Sequence, residues 1–145
     1  MKLKKIYSKD LGIDLESRKE REAFKWLVAC FLFGNPISQE IAAQAWGELE
    51  QEGLMSPDAL LKAGWERIVR ALDRGKYGRY DESTATRLLD AADLLKKKYQ
   101  GSMLVFFQRV GRTNLVDKLQ EEFKGIGPIS SRIFMRDMEK WFFSE

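Results

Sequence analysis

The sequence predicts an all-α fold: a compact single domain of about seven or eight short helices, the last two meeting in a tight glycine hairpin. Apolar residues recur at helical spacing along the chain, and no segment sustains the two-residue alternation of a half-buried strand. Glycine, proline and capping residues punctuate it, and no repeat, low-complexity tract or linker divides it. The 145 residues suit one domain able to bury a core.

Residues 1–16 mix lysines with Ile6, Tyr7, Leu11, Ile13 and Leu15 without clear period, and read as an arm packed across the body. Ser17 is placed to cap a helix from Arg18 whose polar start gives way to Phe24 through Phe33, apolar nearly all round and therefore central. Gly34-Asn35-Pro36 breaks it, and Ser38 caps a second helix carrying Ile41, Ala42, Ala45, Trp46 and Leu49 until Gly53. Ser56-Pro57-Asp58 starts a short helix, and Gly64 separates it from Trp65 to Leu72. After a loop over residues 74–80, Asp81 or Ser83 caps a long amphipathic helix using Leu88, Leu89, Ala92, Leu95 and Tyr99. Lys96, Lys97 and Lys98 suit its C-terminal dipole, and Gly101 stops it. The apolar stretch Met103 to Val110 reads as a short helix, and Thr113 begins a helix burying Leu115, Leu119 and Phe123, so that residues 113–143 form the helix pair and its hairpin.

Composition narrows the chemistry. Apolar residues make up 44% and charged residues 32%, the balance of an ordinary globule and not of a disordered chain. The longest apolar run, Trp26 to Gly34, is short of a membrane span, and the N-terminus leads into no signal-peptide core, so the expected location is cytoplasmic, with no membrane partner. With no histidine and only Cys30, imidazole catalysis, an internal disulfide and Cys/His metal sites are excluded, and no cofactor or metal is expected. Cys30 reads as a small buried hydrophobe. Net charge is only +3, so any nucleic-acid footprint must come from local clustering.

The hairpin is Lys124-Gly125-Ile126-Gly127-Pro128. Glycine permits torsions that other residues resist, and Pro128 fits the first helical position, where a missing N–H costs nothing. Ile126 is expected to tuck inward, leaving the free amides of the second helix pointing outward. Such a helix start attracts anions, and a nucleic-acid phosphate is the expected one.

These residues carry a resemblance. Leu119, Phe123-Lys124-Gly125-Ile126-Gly127-Pro128 and the small Ser131 look like the helix-hairpin-helix signature. The order of preceding elements, from the apolar helix with its Gly34-Asn35-Pro36 break to the lysine-rich helix, resembles the endonuclease III-like helix-hairpin-helix DNA glycosylases over roughly residues 22–138. It resembles their central helical barrel alone, without the second subdomain or the four-cysteine cluster of larger members.

The resemblance implies a fold and a partner, duplex DNA that is damaged or mismatched. Glycosylases rotate a nucleotide out of the duplex and fill the gap with a side chain. Lys124 and the backbone of Gly125, Ile126, Gly127 and Ser130 would hold phosphate, and Asn35 stands where the family often places its gap-filling residue. Asn35 beside Pro36 is equally ordinary turn chemistry. Arg74, Lys76, Arg79 and Tyr80 form the best basic and aromatic cluster, facing DNA or forming a solvated loop whose tyrosines cover the core. The lysine that many members use to attack the sugar is replaced by Ile129, so no lyase step is expected. The family aspartate would fall beyond Glu145. Asp137 lies about 14 Å along the helix from Pro128 at about 1.5 Å per residue, and is expected at the surface. A reduced monofunctional glycosylase, a non-catalytic DNA-binding relative and a fragment of a longer protein all remain open, beside a module that recruits another protein and a helical interaction domain in which the hairpin is only a turn.

Overall fold

The computed structural model describes residues 5–144, and among them every regular element is helical. Eight α-helices follow one another: α1 (Glu20–Phe33), α2 (Gln39–Gln51), α3 (Pro57–Ala63), α4 (Trp65–Arg74), α5 (Asp81–Lys98), α6 (Met103–Val110), α7 (Leu115–Glu122) and α8 (Pro128–Asp137). Two 3-10 turns, Ser8–Leu11 and Leu15–Ser17, precede α1, a third, Gly78–Tyr80, leads into α5, and a π-turn, Met138–Phe142, extends α8. No helix among the described residues is long and apolar enough to cross a membrane.

The helix boundaries follow local chemistry. Ser38, Ser56 and Ser102 each accept an N–H bond from the first turn of α2, α3 and α6, and Pro57 and Pro128 stand at helix starts. Ser17 does not cap α1. Its hydroxyl donates to the Asp14 carbonyl and closes the preceding turn, so α1 begins later, after Lys19. Neither Asp81 nor Ser83 caps α5, and α7 starts at Leu115 behind Asn114 rather than at Thr113.

As its composition dictates, α1 is central: Ala23, Phe24 and every residue from Trp26 to Phe33 are buried, and it packs against α2, α5, α6 and α8. Two indole N–H groups fasten it, Trp46 donating to the Lys25 carbonyl and Trp26 to the Phe134 carbonyl at 3.2 Å. Glu20 ties the start of α1 to the start of α6, because its carboxylate accepts Ser102 Oγ and the Met103 and Leu104 amides there. Cys30 is fully buried, and its burial, with the Asp137 carboxylate nearby, pushes the thiol up.

Ahead of α1, Ile6, Ile13 and Leu15 are buried; residues 1–4 of the arm lie outside the described residues. One consequence overturns the reading of Asp137. It is fully buried and not at the surface: the Ser8 amide donates to its carboxylate at 2.6 Å, and Arg136 Nε donates to the other oxygen at 2.6 Å. Charged side chains default to water, but here the arm covers the helix face and supplies a donor in water's place.

Candidate functional site

The hairpin runs from Phe123 to Gly127, between α7 and α8. Leu115, Leu119, Phe123 and Ile126 are all buried, so the turn is anchored from beneath. Gln120 donates to Ser131 Oγ at 3.0 Å, joining the two helices across the small-residue position. Gly125 has φ +95, and a Cβ there would meet Arg87 Cγ at 2.9 Å, so backbone and neighbour both demand glycine. Gly127 is different: its φ is −105 and a Cβ would meet nothing within 4 Å. The expectation that both glycines serve unusual torsions is therefore corrected at Gly127, whose missing side chain leaves open space in front of the α8 amides.

The N–H groups of Gly125, Gly127, Ile129 and Ser130 find no acceptor among the described residues; the first bond of α8 runs from the Ser131 amide to the Gly127 carbonyl. Lys124 and Ile129 are exposed at this rim, whereas the Ser130 side chain is buried. A Cβ on Gly34 would stand 1.8 Å from Ser130 Oγ, so the hairpin seats directly on the break after α1.

Four depressions adjoin along this edge. One of about 370 Å³ lies over Gly34, Gly125, Gly127, Pro128 and Ser130. It shares Gly125 with a second, of about 330 Å³, between Phe31, Asn35, Tyr80, Thr84 and Arg87. On the other side it shares Ile129 with a third, of about 360 Å³, lined by Lys5, Arg132, Ile133 and Arg136. No aspartate or glutamate lines any of these three, whereas a fourth, which shares Pro128 with the first and Arg132 and Arg136 with the third, is lined by Glu139. Arg87, Lys124 and Arg132 form no ion pair among the described residues, so a cationic edge surrounds the free amides. Arg87 and Arg132 escaped the sequence reading because neither stands in a basic run. Their positions on the buried-to-exposed boundary of α5 and α8 were the only available signal.

No family model, curated protein or solved structure matches the chain.

The remaining sequence candidates divide. Asn35 reaches the second depression, but its amide donates to Tyr77 Oη at 2.9 Å and to Thr84 Oγ1 at 3.2 Å, so its side chain is held inside the fold and does not protrude. Tyr77 is fully buried and donates to the Leu32 carbonyl; burial pushes its hydroxyl up to about 12, the bonds with Asn35 and Thr84 partly opposing that. From the 74–80 loop, Tyr80 lines the same depression, with Arg79 over its ring at 5.8 Å. Arg74 does not join a free basic cluster: it is paired with Glu48 at 3.1 Å and Glu52 at 2.8 Å on α2. Lys76 is exposed and lines none of the four depressions. The loop thus contributes Tyr80 to the depression beside the hairpin, with Arg79 over its ring, and not four equivalent groups.

Proposed function

We propose that this protein binds DNA, gripping the phosphate backbone of a duplex with its helix-hairpin-helix on a helical body similar to the barrel of endonuclease III-like DNA glycosylases. The observation that carries this reading is the hairpin rim, where the unpartnered amides of Gly125, Gly127, Ile129 and Ser130 face the three adjoining depressions that no carboxylate lines. Amides at a helix start and the helix dipole both favour an anion, and Arg87, Lys124 and Arg132 add charge around it. Such contacts position the backbone without reading its sequence.

The proposal is confined to binding. Ile129 stands in the lysine slot and supplies no amine, while Asp137 is fully buried and engaged by Ser8 and Arg136. The positions that the resemblance assigns to a Schiff-base step and to a carboxylate-assisted one therefore do not supply those groups.

The test is binding to duplex DNA across a salt series. Three unpaired cations predict log affinity falling against log salt with a slope of about −3. Gly127→Asp sets a carboxylate before the free amides and is expected to abolish binding while the helical circular dichroism is retained. A flat salt response, or undiminished binding by Gly127→Asp, removes the reading.

A further inference from the structure

We infer that Ile129 is an apolar wedge that contacts the sugar–base stack of the strand whose phosphates the hairpin holds, and unstacks it there. The inference rests on the DNA-binding reading above and adds a contact with the nucleotide interior to a grip on its backbone.

Ile129 is 60% exposed, while the other large exposed hydrophobics, Leu61, Trp65, Leu104 and Val116, range from 38% to 41%. It protrudes from a rigid base, because it follows Pro128 at the second position of α8, and α8 is fixed to α1 through the Trp26 indole. A β-branched side chain on a helix has one strongly preferred rotamer, so little freedom is lost when it is clasped.

Its surroundings point to a nucleic-acid strand and away from a second protein. Ile129 forms the wall common to two depressions: the amide-lined one over Gly127 and the one holding Lys5, Arg132 and Arg136. Arg136 is already held by Asp137 and the Ile6 carbonyl, so the cations open to an anion on that side are Lys5 and Arg132, and the free amides lie on the other side of the ridge. A polynucleotide strand presents the complementary pattern, with phosphates on either side of an apolar sugar and base. Proteins that enter the minor groove use isoleucine, leucine or phenylalanine in this way, partly unstacking a base step. The side chain expected to fill a gap, Asn35, is held by Tyr77 and Thr84, leaving Ile129 as the protruding group beside the free amides.

The test uses duplexes with 2-aminopurine, whose fluorescence rises on unstacking, placed within matched DNA or beside a single mismatch. The wild-type protein is expected to raise the fluorescence on binding. Ile129→Ser is expected to bind about three- to tenfold more weakly, as befits loss of one apolar contact, with an unchanged salt slope and no fluorescence rise. Serine is well tolerated near a helix start, so the variant keeps its fold, which circular dichroism checks. Wild-type binding without a fluorescence rise, or a full rise with Ile129→Ser, overturns the wedge and leaves the backbone grip intact. No binding by the wild-type protein overturns both.

Discussion

Gly125 and Gly127 stand two residues apart, and their backbones differ in their need for glycine. At φ +95 and 2.9 Å from Arg87 Cγ, a side chain on Gly125 is both strained and obstructed. Gly125→Ala is expected to lose about 1–2 kcal/mol, the usual cost of a left-handed conformation. Gly127 has an ordinary φ and open space around it, so Gly127→Ala should stay within about 0.5 kcal/mol of wild type. Urea midpoints for the two variants measure the contrast, and equal losses would show that the hairpin strain is misplaced. If Gly127→Ala keeps its midpoint but binds DNA more weakly, the glycine serves a ligand's approach and not the fold.

At the scale of elements, α5 and α7 are held together by a clasp of Lys98, Tyr99 and Glu122, in which both other side chains bond the glutamate carboxylate. Burial alone would raise the Glu122 carboxyl, but the bonds from Lys98 and Tyr99 outweigh it and hold it below its ordinary value. Tyr99 is shifted upward, by burial first and then by Glu122. For a carboxylate depressed on folding, the stabilisation is present above the unfolded value, about 4.3 for glutamate, and is lost as pH falls through the folded one. A tyrosine raised on folding contributes below about 10 and loses that contribution as pH climbs. Glu122→Gln should therefore lower the thermal midpoint by a constant amount from pH 6 to 8, with the gap closing below about pH 4. A gap that persists into acid would mean that the clasp acts through packing alone. The helices carrying this clasp were legible in the sequence, because periodicity, serine caps and prolines are local signals. The partners of Lys98 and Arg74 were not. Arg74 looked like part of a basic loop until the fold set it against Glu48 and Glu52, residues from another helix that no nearby spacing announces. The hairpin itself was legible for the same local reason, whereas Arg87 comes to it from a helix far upstream in the sequence.

Across the whole molecule, α8 is braced at both ends, and this is what makes its amide-bearing start a fixed feature. Its first turn sits on Gly34, its middle accepts the Trp26 indole, and its end is locked to the N-terminal arm through Asp137. Arg136 completes the lock: it donates to Asp137 and to the Ile6 carbonyl at 2.9 Å, and lies over the Tyr7 ring at 4.2 Å. Removing Asp137 leaves the buried Ser8 amide without its acceptor, at a cost of about 1–3 kcal/mol, and takes the ion pair from Arg136, whose side chain is 29% exposed. That cost is a large share of the roughly 5–15 kcal/mol by which domains are stable. Asp137→Ala should thus lower the urea midpoint by more than Glu122→Gln does, while Asp137→Asn, which still accepts the Ser8 amide, should fall between Asp137→Ala and wild type. Cys30 supplies an independent readout, since its thiol is fully buried and pushed up first by burial and then by Asp137. In wild type, a thiol reagent should reach it only at the rate of unfolding; in Asp137→Ala it should react faster under native conditions, because the arm that closes this end of the core is released. Unchanged midpoint and unchanged labelling would show that the arm is held by Ile6, Ile13 and Leu15 alone. The brace on α8 would then come from α1 and the hairpin, and the arm would have no bearing on the edge proposed to meet DNA.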